Sequence, residues 1–108
     1  MKLDKTKVYR LTRQVPAGRV TTYGALAKAA GNPKATRGIG MLMHVNPDAP
    51  RTPCHRVVMS NGKVGGYGSK KGVSQKIERL KAEGVNVING KVVNFDRKLF
   101  TEFEIETD

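Results

Sequence analysis

The chain has 108 residues, with 20 Lys and Arg against 9 Asp and Glu, for a formal net charge of +11. That length suits one domain, and 38% hydrophobic with 27% charged residues fits a soluble, folded chain. No apolar run approaches the roughly 18 residues of a membrane span, no leader-like h-region opens the sequence, and the single cysteine, Cys54, excludes an intrachain disulfide. His44 and His55 are the only histidines, so no metal site is expected, and the expected location is cytoplasmic.

The charge is unevenly spread. Residues 101–108 hold four of the nine acids, which leaves residues 1–100 at +15. Such a body gains from releasing counterions condensed on a polyanion, so nucleic acid is the leading partner, with a merely solubilising surface as the alternative.

In chain order, Val8, Leu11 and Val15 have helical spacing over residues 4–15, with Pro16 and Gly18 ending the helix. Residues 19–22 read as an extended link, and Thr21 or Thr22 can cap a second helix that runs through Ala30 to a stop at Gly31. Asn32 before Pro33 predicts the N-cap of a third helix ending near His44. Two short helices joined through a glycine, with Lys34 and Arg37 early in the second, form the pattern of a helix-turn-helix or of an ordinary αα-hairpin. Net charge +8 over residues 1–37 favours the former. Gly38 and Gly40 weaken the third helix, which suits either close approach to DNA or close helix packing.

Residues 46–50 are a proline-rich loop. Residues 56–59 followed by Asn61-Gly62 predict a hairpin. Val73, Ile77 and Leu80 mark a last long helix stopped by Gly84, and Asn89-Gly90 predicts a second hairpin over residues 85–93. Residues 94–108 form an acidic tail expected to fray beyond a core of about 5–93.

Chemistry concentrates at Pro53-Cys54-His55-Arg56-Val57. A free thiol of pKa about 8.5 is about 3% ionised at pH 7, and neighbouring cations and an imidazole raise that fraction. The other fate of a lone cysteine is inert burial, and adjacency to His55 does not decide between them, because side chains at i and i+1 usually diverge.

This pentapeptide resembles the active-site signature of the O6-alkylguanine-DNA alkyltransferases. The resemblance extends in order through Val15-Pro16-Ala17-Gly18-Arg19-Val20-Thr21-Thr22-Tyr23-Gly24, Gly31-Asn32-Pro33 with Arg37, Asn46-Pro47, Val64-Gly65-Gly66-Tyr67 and Glu83-Gly84, covering roughly residues 5–90. It implies a small, mostly helical α+β domain of winged helix-turn-helix type with one or two β-hairpins, the unit that follows an N-terminal domain in full-length members. It also implies roles. Cys54 accepts the alkyl group, His55 deprotonates it through a water, Glu83 orients His55, Asn46 fixes the loop before the nucleophile, and Tyr23 acts at the target phosphate and donates a proton to the leaving base. Thr22, Tyr23, Lys34, Ala35, Arg37, Gly38 and Arg56 face DNA, with Arg37 filling the stack behind the flipped nucleotide. Val57, Val64, Gly65 and Tyr67 line the base pocket.

The implied partner is duplex DNA bearing an alkylated guanine, or an O4-alkylated thymine, bound in the minor groove by a monomer without a cofactor. The helix-turn-helix alone suggests the major groove. Residues 68–72 make a loop about two residues longer than in typical alkyltransferases, similar to the alkyltransferase-like proteins, which sense the lesion and pass it to nucleotide excision repair. Direct transfer to Cys54 is the favoured reading and lesion sensing the alternative. A third is a helix-turn-helix regulator with Cys54 as a sensing thiol, for which no dimerisation stripe is visible.

Overall fold

The computed structural model describes residues 3–49, 51–65 and 70–105. Helix α1 (Lys5–Thr12) begins where the Asp4 carboxylate accepts the Lys7 N–H at 3.2 Å, and it buries Val8 and Leu11. Strand β1 (Thr21–Thr22) leads directly into α2 (Tyr23–Ala29), whose Thr22 cap accepts the Ala25 N–H at 3.0 Å. Helix α3 spans Thr36–His44. A single 3-10 turn over Cys54–Arg56 runs into β2 (Val57–Val58), and α4 covers Lys70–Ala82. Then come β3 (Val87–Ile88), β4 (Lys91–Val92) and α5 (Phe95–Lys98).

Helices dominate this α+β arrangement, with α2 and α3 as the helix-turn-helix. Behind them, Val8, Leu11, Leu26, Ile39, Met43, Cys54 and Val57 form one core cluster. Val20, Val58, Val64, Leu80, Val85 and Val92 form a second, beneath the β3–β4 hairpin. β1 and β2 pair in parallel, Thr21 opposite Val57 and Thr22 opposite Val58, and this ties the start of α2 to the turn that carries Cys54.

Both glycine stops are formed alike. Gly31 and Gly84 each have φ of +85°, and the residues that follow them reach back into their helices, Asn32 N–H to Ala27 O and Val85 N–H to Leu80 O, each at 2.9 Å. Asn32 is thereby committed to closing α2. The predicted cap at Asn32 is corrected for this reason: a turn closed by Ala35 N–H to Asn32 O intervenes, and α3 starts at Thr36.

The predicted hairpin about Asn61-Gly62 is also corrected. The turn closes, with Gly62 N–H bonded to Met59 O at 2.8 Å, but Val57 and Val58 are fully buried and pair with β1. A strand covered on both faces suits parallel pairing, and the chain after the turn crosses to β4 through Lys63 and Lys91. The Asn89-Gly90 hairpin forms, with φ of 53° and 75° at its two central residues.

Residues 94–105 do not fray as expected. Val20 N–H bonds to Lys98 O at 2.9 Å and Phe100 N–H to Val20 O at 2.7 Å, while Gln14 pairs with the backbone of Glu104 through both its amide atoms. Phe100 and Phe103 meet edge to face at 5.0 Å. Of the acids that suggested fraying, Glu102 lies 3.6 Å from Arg19.

Candidate active site and nucleic-acid face

Pro47 denies the loop after α3 a regular ladder, so side chains satisfy its backbone. The Asn46 amide donates to Thr52 O at 2.8 Å and accepts the Asp48 N–H at 3.0 Å. Thr52, fully buried, donates to Asp48 at 3.2 Å and accepts from Arg13, the residue that closes α1, at 2.9 Å. Its carbonyl also accepts the Cys54 N–H at 2.8 Å. Four side chains thus fix the approach to the thiol. Sequence reading found Asn46 and missed Thr52 and Arg13, whose link to the loop is long-range.

His55 is 5% exposed, and its Nε2 lies 3.0 Å from Glu83 Oε1. An ionised carboxylate only accepts, so Nε2 carries the proton and Nδ1 keeps its lone pair. Nδ1 is buried and meets no partner among the described residues. Burial lowers the His55 pKa, and the cations of Arg56 and Arg79 add to that against the opposing pull of Glu83. The contact is therefore a hydrogen bond from neutral imidazole to carboxylate, and Nδ1 is a base at neutral pH. Burial alone would raise Glu83, but Arg56 and His55 outweigh it and hold its pKa below the usual range.

Arg56 departs from its expected place on DNA. Its Nε donates to both Glu83 oxygens at 3.0 and 3.2 Å, its Nη2 also binds Glu83, and its Nη1 donates to Val15 O at 2.8 Å. With 17% of its side chain exposed, the guanidinium is spent inside the protein.

Lys76 was absent from the sequence expectations. It is 2% exposed, with Nζ 2.5 Å from Val57 O, 3.3 Å from Tyr23 Oη and 5.6 Å from the centre of the Tyr23 ring. Burial lowers its pKa to about 8, against an upward pull from Cys54. Burial, with the Cys54 charge adding to it, pushes Tyr23 up to about 12, so its hydroxyl remains a donor. The available signal was a lysine three residues after Val73 and four before Leu80, on the apolar stripe of α4.

An open cavity of about 200 Å³ gathers Cys54, His55, Asn46, Lys76 and Arg79 along its lining. Val57 and Val64, expected in a base pocket, have fully buried side chains in the two core clusters. Only their backbone can face a ligand, and the Val57 carbonyl is already held by Lys76. Gly65 is half-buried, and Tyr67 lies outside the described residues. Among the described residues no three His, Cys, Asp or Glu side chains gather as metal ligands, and no helix is long and apolar enough to cross a membrane.

On the helix-turn-helix, Lys34 and Arg37 are exposed and Ala35 is half-buried at the foot of α3. Tyr23 opens α2 with its hydroxyl turned to Lys76. Thr22, expected on DNA, is 7% exposed and its hydroxyl is engaged as the cap of α2. The two glycines of α3 differ: a Cβ on Gly38 would lie 2.7 Å from Leu3 Cδ1, whereas one on Gly40 would meet nothing within 4 Å. Gly38 therefore serves packing against the N-terminal segment and Gly40 leaves backbone open. Met41, 63% exposed, shares the outward stripe with Arg37.

Comparison with known proteins agrees with this geometry. Residues 4–85 match the family described as 6-O-methylguanine DNA methyltransferase, DNA binding domain, and the chain belongs to that family. It is 39% identical over 99 residues to a bifunctional methyltransferase/endonuclease of Thermoplasma volcanium, covering 92% of this chain and 31% of that protein. It is 46% identical over 77 residues to a methylated-DNA–protein-cysteine methyltransferase of Methanosarcina acetivorans, covering 71% of this chain and 48% of that one. The chain thus spans about a third to a half of the length of these curated relatives. Among solved structures, Schizosaccharomyces pombe Atl1 in complex with damaged DNA containing O6-carboxymethylguanine superposes with a TM-score of 0.80 at 32% identity, covering 93% of this chain and 98% of that one.

Proposed function

We propose that residues 1–108 act as one unit that binds duplex DNA through α2 and α3, extrudes an O6-alkylated guanine and takes its alkyl group onto Cys54. The thiol proton passes through a water to His55 Nδ1, Sγ attacks the carbon on O6, the C–O6 bond breaks, and the base leaves with a proton donated by Tyr23. Glu83 holds the imidazole in the basic tautomer and the Lys76 ammonium offsets negative charge between the thiol and Tyr23. No turnover follows, because a thioether does not regenerate the thiol.

The observation that carries this reading is the sole cysteine sharing a cavity with His55, whose buried Nδ1 meets no partner among the described residues and whose other nitrogen is bonded to a carboxylate. Incubation with an O6-methylguanine duplex followed by intact-mass analysis tests it. One methyl per chain, located on Cys54 and absent from Cys54→Ser, is the expected result.

Likeness to Atl1 over nearly the whole of that chain favours a second reading, lesion sensing without transfer that hands the site to excision repair. Unmodified Cys54 alongside preferential binding of the lesion duplex supports that reading instead.

A further inference from the structure

The direction in which the chain enters Cys54 is set one residue earlier, at Pro53. With φ of −82° and ψ of 71°, and with the Cys54 N–H bonded across it to Thr52 O at 2.8 Å, Pro53 is the centre of an inverse γ-turn. The second lone pair of the Thr52 carbonyl takes the Asn46 amide at 2.8 Å, and the Thr52 N–H donates to Asp48 O at 2.9 Å. Placement of Cys54 is therefore placement of Thr52.

The Thr52 side chain is the part of this turn that reaches beyond the loop. Its hydroxyl donates to the Asp48 carboxylate and accepts from Arg13, and the Arg13 guanidinium itself lies 3.9 Å from that carboxylate. Arg13 closes α1, whose Val8 and Leu11 sit in the same core cluster as Cys54. A fully buried hydroxyl thus has an ion pair on one side and the γ-turn on the other. We propose that Arg13 and Asp48, acting through Thr52, are positioning residues for Cys54, holding its sulfur in the place from which it attacks. Displacing a reacting group by about 1 Å can cost about a hundredfold in rate, so release of the Thr52 hydroxyl slows transfer without altering recognition of DNA. The rate effect presupposes the transfer function proposed above, whereas the hold on the thiol does not.

The competing role for Arg13 is a phosphate contact from a basic N-terminal segment. Thr52→Val removes the hydroxyl at nearly constant shape, Thr52→Ser keeps it, and Arg13→Met cuts the link at its part-exposed end. Each is compared with the parent by single-turnover transfer from an O6-methylguanine duplex, by equilibrium binding to that duplex, and by iodoacetamide labelling of Cys54 without DNA over low urea concentrations. Thr52→Val should slow transfer at saturating duplex by about tenfold or more, with Kd within about twofold. It should also raise labelling by about tenfold, because Cys54 is 8% exposed and reacts when its turn opens. That labelling should stay nearly flat in urea, as for an opening much smaller than global unfolding. Thr52→Ser should restore both rates toward the parent, and Arg13→Met should move both in the direction of Thr52→Val.

Parent-like labelling in Thr52→Val and Arg13→Met overturns the proposal. So does labelling that climbs with urea in step with global unfolding, the mark of a general loss of stability. A lower salt slope of duplex binding in Arg13→Met, with transfer unchanged, makes Arg13 a phosphate contact and overturns it as well. Should Thr52→Val fail to fold, Arg13→Met decides alone. A parent chain that transfers nothing removes the transfer reading, and labelling still decides the hold on Cys54.

Discussion

The guanidinium of Arg56 lies across the carboxylate of Glu83, on the same group that accepts the ring N–H of His55. Glu83 directly follows α4, just before the Gly84 stop, and Arg56 carries the linkage on to Val15 O, three residues beyond α1. Orientation of the His55 ring and cohesion of the fold therefore share one carboxylate.

Glu83→Gln separates these two duties by comparison with Arg56→Met. Removing one member of a largely buried pair leaves the other uncompensated, so each variant should lose roughly 3 kcal/mol of stability. Alkyl transfer should fall much further for Glu83→Gln than for Arg56→Met, because only the former disturbs the His55 tautomer. Single-turnover rates at matched folded fraction check this, and equal rates in the two variants would remove Glu83 from the relay.

Acid should weaken the site and the fold together. The pKa values of His55 and Glu83 are both lowered on folding from ordinary values of 6.5 and 4.5, so the unfolded chain binds protons that the folded chain resists. Their contribution is present above pH 6.5 and is lost as pH falls, first through His55 and then through Glu83. Thermal denaturation between about pH 3 and 8 should show Tm declining on the acid side; in Glu83→Gln the part of the decline below pH 4.5 should disappear, while the part due to His55, freed of the upward pull of Glu83, should steepen.

Lys76 has the opposite window. Its pKa falls from 10.5 to about 8 on folding, on the order of 3 kcal/mol against the charged form at neutral pH. Folded stability from this residue rises as pH increases from about 8 to 10.5. Lys76→Met should be at least as stable as the parent at pH 7, with that advantage shrinking toward pH 10, and transfer to Cys54 should drop by more than about tenfold. A variant equally active on the lesion duplex would show that the ammonium serves only to hold the Val57 carbonyl.

Arg37→Ala should reduce the salt dependence of duplex binding by no more than about one contact, yet sharply weaken extrusion of the target base. A fluorescent base analogue beside the lesion reports extrusion directly. Undiminished extrusion would make Arg37 a phosphate contact.

Gly40→Ala should stabilise α3 by about 0.5–1 kcal/mol, since the added Cβ has open space. The same methyl group should weaken duplex binding if backbone at that position meets DNA, read as a higher Tm with a larger Kd. Unchanged binding would move the DNA contact away from Gly40.

Local signals carried most of the fold. Gly31, Gly84 and Asn89-Gly90 act within a few residues of themselves, so their turns are legible in the chain. The β1–β2 pair is not, because two-residue strands separated by more than thirty positions leave no periodicity. At the site, Cys54, His55 and Glu83 stood out through the family pattern. Arg56 was misassigned because a cation beside a DNA-facing motif looks the same in sequence whether its partner is phosphate or carboxylate. Lys76 was overlooked because amphipathic reading counts apolar positions, and a charge on that stripe breaks the count rather than adding to it.

The register of β1 with β2 makes Thr22, the cap of α2, the direct neighbour of Val58, four residues beyond Cys54. Strands this short have no slack in which a shift can dissipate. A partner that shifted α2 would therefore pull on the Cys54 turn through this pairing. Two backbone rungs thus stand between the cap of α2 and the turn that carries Cys54, and substitutions that loosen them should blur the placement of the thiol before they unfold the protein.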